Sequence, residues 1–296
     1  MDVTFFVALI VDGVFAGAIY GLVALAFVVT YKASRLINFA LGEWTMLAAG
    51  LAGAGFHLWG LGVAGALAAA SAAMIVLGFA FNRLVLRSLV GRPLISLIMV
   101  TLGLGALLRG TASLALAGIP RRIPLPIPTE PIVTGGLVLS TEKLVTAVVA
   151  GVAIAGVTWF FHGTRWGLAL RAIADDQQVA MAMGIDLQRC FTITWALVGV
   201  IAVLAGTLWS VAGSGGFGVV LLGLKVFPIV IIGGLDSIPG TIAGAAFVGV
   251  LENLAAGYLD PLLGGGFSNV AAYLVLIAML CVRPYGLFGR ADVARV

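Results

Sequence analysis

Charge is the scarcest commodity in this chain. Only 9% of its 296 residues are Asp, Glu, Lys or Arg, against roughly a quarter in soluble domains. Hydrophobic residues make up 62%, and mean hydropathy is +1.19. A soluble fold of this size could not bury so much apolar surface. The class is therefore an all-α polytopic integral membrane protein, in which helices satisfy their own backbone in lipid. Cysteine is almost missing as well. Cys190 and Cys281 each sit at the edge of an apolar segment, without redox or metal-ligand spacing, and no His/Cys/carboxylate cluster marks a metal site. Lysine occurs three times, at Lys32, Lys143 and Lys225, after Tyr31, Glu142 and Leu224. A Walker A loop needs glycine before its lysine, so that backbone N–H groups and the ammonium share one phosphate. No such loop is present. The two histidines, His57 and His162, are placed near opposite faces, so Ser214 in "AGSGG" has no base for a proteolytic dyad. The chain is read as not itself an enzyme, with no cofactor of its own. Its net charge of +4 is scattered among apolar segments with no basic face. The partner is a lipid bilayer, not nucleic acid. The first basic residue is Lys32, so no cleavable signal peptide is expected.

Hydropathy predicts segments near 5–30, 36–56, 58–82, 94–117, 144–161, 191–213, 219–235, 240–257 and 269–287. That is about eight or nine hydrophobic helices. Those at 36–56 and 219–235 are interrupted by glycine and either span or re-enter. One transmembrane domain over 1–296 is expected. Lys and Arg mark the cytoplasmic side. Lys32 and Arg35; Arg83, Arg87 and Arg92; Arg165, Arg171 and Arg189; and Arg283, Arg290 and Arg295 all fall on one side if the helices alternate. The N-terminus is then outside and the C-terminus cytoplasmic. Arg121 and Arg122 run against that trend. The outer loop, 118–143, holds half of the ten prolines, and "IVTGGLVLS" within it predicts a hairpin turning at Gly135-Gly136. This loop is either a connector or part of a docking surface for an external partner.

The segment 163–189 breaks the apolar pattern. In "LALRAIADDQQVAMAMGID", Arg171, Asp175, Asp176 and Asp186 crowd beside Val179, Met181 and Met183. Gly184 can end a short helix and Asp186 can cap the next. On a helical wheel Asp176 falls near Val179 and Met183. The segment is either a membrane-surface helix or a peg that enters an apolar groove on a partner. "RAIADD" with "AMAMGID" is similar to the cytoplasmic coupling segment of ABC importer permeases. "RLINFALGEW", Arg35 to Trp44, resembles the "INFAHGE" signature of the branched-chain amino acid ABC permease family, first subunit type. "GLKVFPIVIIGGLDSIPGTIAGAAFVGVLENL", Gly223 to Leu254, resembles its second signature. Leu41 stands where that family usually has histidine.

The resemblance implies an ATP-driven importer in a prokaryotic plasma (inner) membrane. A second related permease would complete the pathway, and two ATPase subunits would hold ATP and magnesium inside. A soluble binding protein would deliver a hydrophobic or branched-chain amino acid outside. It assigns ATPase coupling to Arg171, Ala174, Asp175, Asp176, Val179, Met183 and Gly184. Ionisable groups within spans are costly unless paired or facing water, which singles out Asp12, Glu43, Arg109, Lys225, Asp236 and Glu252. Of these, Glu43, Lys225 and Glu252, together with Asn38, either brace broken helices or touch the cargo; Lys225 and Glu252 are candidates to pair. Urea, short amides or aromatic acids are alternative cargoes, and an ion-coupled secondary transporter is the alternative of another class.

Overall fold

The computed structural model describes residues 3–87, 93–128, 130–134, 137–212, 218–283 and 286–289. Asp2, Arg92, Gly135, Gly136, Ser214, Arg290 and Arg295 lie outside them. The helices are α1 (Val3–Ser34), α2 (Leu41–His57), α3 (Val63–Phe81), α4 (Leu94–Ala115) and α5 (Thr141–Gly163), then α6 (Arg165–Asp175), α7 (Gln177–Ala182), α8 (Leu187–Ala212), α9 (Gly218–Gly233), α10 (Ile238–Leu254), α11 (Asp260–Leu263) and α12 (Phe267–Val282). Single π-helical turns, Asn82–Leu86 and Ala255–Leu259, extend α3 and α10. Strands β1 (Ile132–Thr134) and β2 (Leu137–Leu139) of the outer loop pair antiparallel, Thr134 against Leu137; the turn at Gly135-Gly136 lies outside the described residues.

Each of the nine apolar segments contains a helix. Among the described residues, six helices are long and apolar enough to cross a membrane. The two glycine-rich segments differ from an interrupted pattern. Residues 36–40 are not helical, but α2 runs unbroken through Gly42, Gly50, Gly53 and Gly55. Its 17 residues span about 25 Å. Likewise α9 continues through Pro228 to Gly233, and Gly234 follows it with φ +103°. The glycines of α2 and α9 serve approach instead of breakage: a Cβ on Gly223 would fall on the backbone of Gly42. Asp236 lies in the turn between α9 and α10 and not within a span.

Two compact units divide the chain. The first holds residues 1–28, 126–151 and 225–296; the second holds 29–125 and 152–224. In the second, α2 is enclosed by α3, α4 and α8. Trp44, Phe81 and Trp195 form its aromatic centre, with ring centroids 4.7–6.2 Å apart in edge-to-face geometry. Edge-to-face packing sets the positive rim of one ring against the negative face of another. In the first unit α1 crosses α10 at Gly13, Gly17 and Gly249, where a side chain on any of them would strike opposing backbone. The same unit packs α10 against α12.

Candidate functional site

Three local structures hold the residues singled out by sequence. The charged island of segment 163–189 folds into two short helices, α6 and α7, and side chains cap the starts of α6, α7 and α8. Thr164 Oγ1 accepts from Gly167 N at 3.0 Å. Asp176 Oδ1 accepts from Gln178 N at 2.8 Å and Val179 N at 3.0 Å. Asp186 Oδ1 accepts from Gln188 N at 2.9 Å and Arg189 N at 3.2 Å. Each cap satisfies amides that the first turn leaves free. The helical wheel therefore needs correction: Asp176 is not on the α7 face beside Val179 and Met183, because it lies outside the helix as its cap, in extended conformation.

α6 buries Gly167, Leu170 and Ile173, one stripe at helical spacing, and contacts α8. Arg171 is half-buried, and its Nε has no hydrogen-bond partner among the described residues. Ala174 offers its carbonyl to Arg35 Nη2 at 2.7 Å, and Asp175 is exposed at the end of α6. α7 buries only Ala180. It leaves Val179 58%, Met181 50% and Met183 79% exposed. Gly184 N donates to Met181 O and Ile185 N to Ala180 O, a Schellman ending with Gly184 at φ +84°. Nothing lies within 4 Å of a Cβ added there. Gly184→Val is therefore expected to cost about 1–2 kcal/mol through backbone conformation alone. Hydrogen exchange of the Ala180–Asp186 amides reads this directly; unchanged protection would refute it.

The first signature forms the loop between α1 and α2. Asn38, buried, accepts from Ala40 N through Oδ1 at 3.0 Å, and its Nδ2 has no partner among the described residues. Phe39 N donates to Thr101 Oγ1 of α4 at 3.4 Å. Glu43 sits in the first turn of α2, where a carboxylate meets the positive helix end. Arg109 Nη2 donates to its Oε1; the carboxylate side chain is 8% exposed and the arginine 51%. Gly105 leaves the space that Glu43 occupies. Leu41 is buried at the start of α2.

The second signature builds a buried polar cluster in the first unit. Lys225 Nζ lies 2.9 Å from Glu252 Oε2, with side chains 17% and 7% exposed. Tyr20 of α1 donates to the same oxygen at 2.8 Å, and the ammonium lies 5.4 Å from the Tyr20 ring centroid. Glu252 Oε1 has no partner among the described residues. Sequence reasoning missed Tyr20, although a phenol set deep in an apolar run between Gly17 and Gly21 is a signal of a buried partner. It also missed that Asp12 pairs with Lys143 at 2.7 Å, and it named Glu43 and Arg109 separately.

Comparison with known proteins decides the family. Residues 9–282 match the family described as branched-chain amino acid transport system / permease component. This chain belongs to that family. It is similar to the high-affinity branched-chain amino acid transport system permease protein BraD of Pseudomonas aeruginosa, 30% identical over 97% of each chain. LivH of Escherichia coli, with the same description, is 26% identical over 99% of this chain and 98% of its own. A probable branched-chain amino acid transport permease protein LivH of Methanocaldococcus jannaschii is 32% identical over 45% of this chain and 44% of its own. The protein is thus a multi-pass membrane permease component and not an ATPase.

Proposed function

We propose that this permease forms, with a second and related permease subunit, the pathway of an ATP-driven importer. Two ATPase subunits, carrying ATP and magnesium, work at its cytoplasmic face, and a soluble binding protein delivers cargo outside. The observation that carries the reading is the α7 tip. Val179 and Met181 stand exposed on a six-residue helix capped at both ends, and Met183 stands exposed at its C-cap. A stable polar loop has no use for such a ridge, whereas an amphipathic plug in a partner's groove does. A recess of about 470 Å³ lined by Met181, Asp186, Leu187 and Phe191 adjoins it, so a partner would meet ridge and hollow together. A secondary transporter would give the tip no partner. The hydrogen bond from Arg35 to Ala174 puts two of the basic regions on one side and supports an N-terminus outside the inner membrane and a cytoplasmic C-terminus.

The cargo is a hydrophobic or branched-chain amino acid, supported by the names of BraD and LivH. The buried charges in each unit are already paired within the chain, so their role is bracing, and selection rests with the binding protein. Reconstituted complex should hydrolyse ATP faster with loaded binding protein and respond little to free amino acid. Leu41→His should alter the uptake rate more than the order of substrate preference. A strong ATPase response to free amino acid, or a new preference order in Leu41→His, would place selection in the pore. Leu41 in place of histidine keeps urea, short amides and aromatic acids as the second reading, and a ligand screen on the binding protein separates them.

A further inference from the structure

The signature loop and the coupling helices meet at one side chain. Arg35 has φ +53°, alone among described non-glycine residues in the left-handed region. Bulky side chains are held there only by their surroundings. Here the main-chain N–H of Arg35 donates to Tyr31 O at 2.7 Å, its guanidinium carbon lies 5.7 Å from the Tyr31 ring centroid, and Nη2 donates to Ala174 O at 2.7 Å. Ala174 is the last residue but one of α6. Its carbonyl is one of the final four that no helical N–H reaches, at the end that attracts cations.

The two sides of this contact are held differently. Beyond Arg35 the chain is pinned: Leu36 and Asn38 are buried, Phe39 N bonds Thr101 of α4, and Glu43 bonds Arg109 of α4. On the other side, α7 buries only Ala180 and follows α6 directly through its cap, Asp176. The contact is exposed, so it adds little to stability. Its consequence is orientation.

We propose that Arg35 is a positioning residue for energy coupling. Its guanidinium ties the end of α6, which carries the α7 tip, to the loop that opens α2, so that movement passed from the tip to α6 reaches α2 and α4. This rests on the importer reading above.

Arg35→Gly is the informative variant. Glycine accepts φ +53° without strain, so the turn persists while the guanidinium is removed. Arg35→Lys keeps the cation and loses the planar fork. In the assembled complex, with Cys190 and Cys281 replaced, spin labels at Gln178→Cys and Leu102→Cys read the distance between α7 and α4. Arg35→Gly should broaden that distribution, and the stimulation of ATP hydrolysis by loaded binding protein should fall by about five-fold or more. Arg35→Lys should recover part of both. An unchanged distribution, or a broadened one with wild-type stimulation and uptake, would overturn the proposal. A wild-type complex that shows no stimulation would overturn the importer reading itself, and this proposal with it; a stimulated wild type matched by Arg35→Gly would overturn this proposal alone.

Discussion

Removing Lys225 or Glu252 singly should destabilise the permease by about 3–5 kcal/mol, and removing both should cost less than the sum. The reason is the cluster's geometry. Glu252 receives both the Lys225 ammonium and the Tyr20 hydroxyl on Oε2, among side chains only 17% and 7% exposed. Lys225→Met leaves a buried carboxylate with the phenol as its remaining partner. Glu252→Gln leaves a buried ammonium facing an amide. The double variant leaves no unpaired ion. Thermal unfolding in detergent of the four proteins completes the cycle. Strict additivity would mean that the two groups do not interact, and a double variant worse than the sum would refute the desolvation argument.

Replacing Val179 and Met183 together with Asp should have the opposite profile: little effect on the permease alone and a large one on the complex. Both positions are exposed, by 58% and 79%, so the isolated protein should unfold within about 0.5 kcal/mol of wild type. Two carboxylates forced into an apolar groove should weaken docking by roughly 3–6 kcal/mol, about two to four orders of magnitude in affinity. Co-purification with the ATPases and ATP-dependent uptake should both be lost. Normal co-purification and normal uptake would sink the peg and leave α6 and α7 as membrane-surface helices.

The two experiments address different units of the chain. The Lys225 cluster concerns stability of the unit built on α10 and α12, while the α7 tip belongs to the unit centred on Trp44. A loss of uptake in the Lys225 or Glu252 variants that tracks the loss of folded protein is therefore a bracing effect. A loss in the Val179/Met183 variant at full protein level is a coupling effect.

The sequence by itself determined the class, the helices and the local stops. Apolar runs long enough to cross a bilayer need no tertiary information, because each helix closes its own backbone hydrogen bonds. The stops at Gly184 and Asp186 were equally legible, since caps act over a few residues, whereas Asp176, read on the helical face, is a cap. What the sequence could not supply was whether glycine meant breakage or contact. Gly42 and Gly223 lie in unbroken helices, and only their mutual approach explains them. The partners of buried charge were also hidden. The cost of an unpaired ion in a membrane made Lys225 and Glu252 candidates for each other, but Tyr20 stands 232 positions from Glu252, Lys143 131 from Asp12, and Ala174 139 from Arg35. Local propensity carries no information across such separations. Those contacts were decided by how the helices pack, which depends on side-chain shape along whole faces and not on any short stretch of residues.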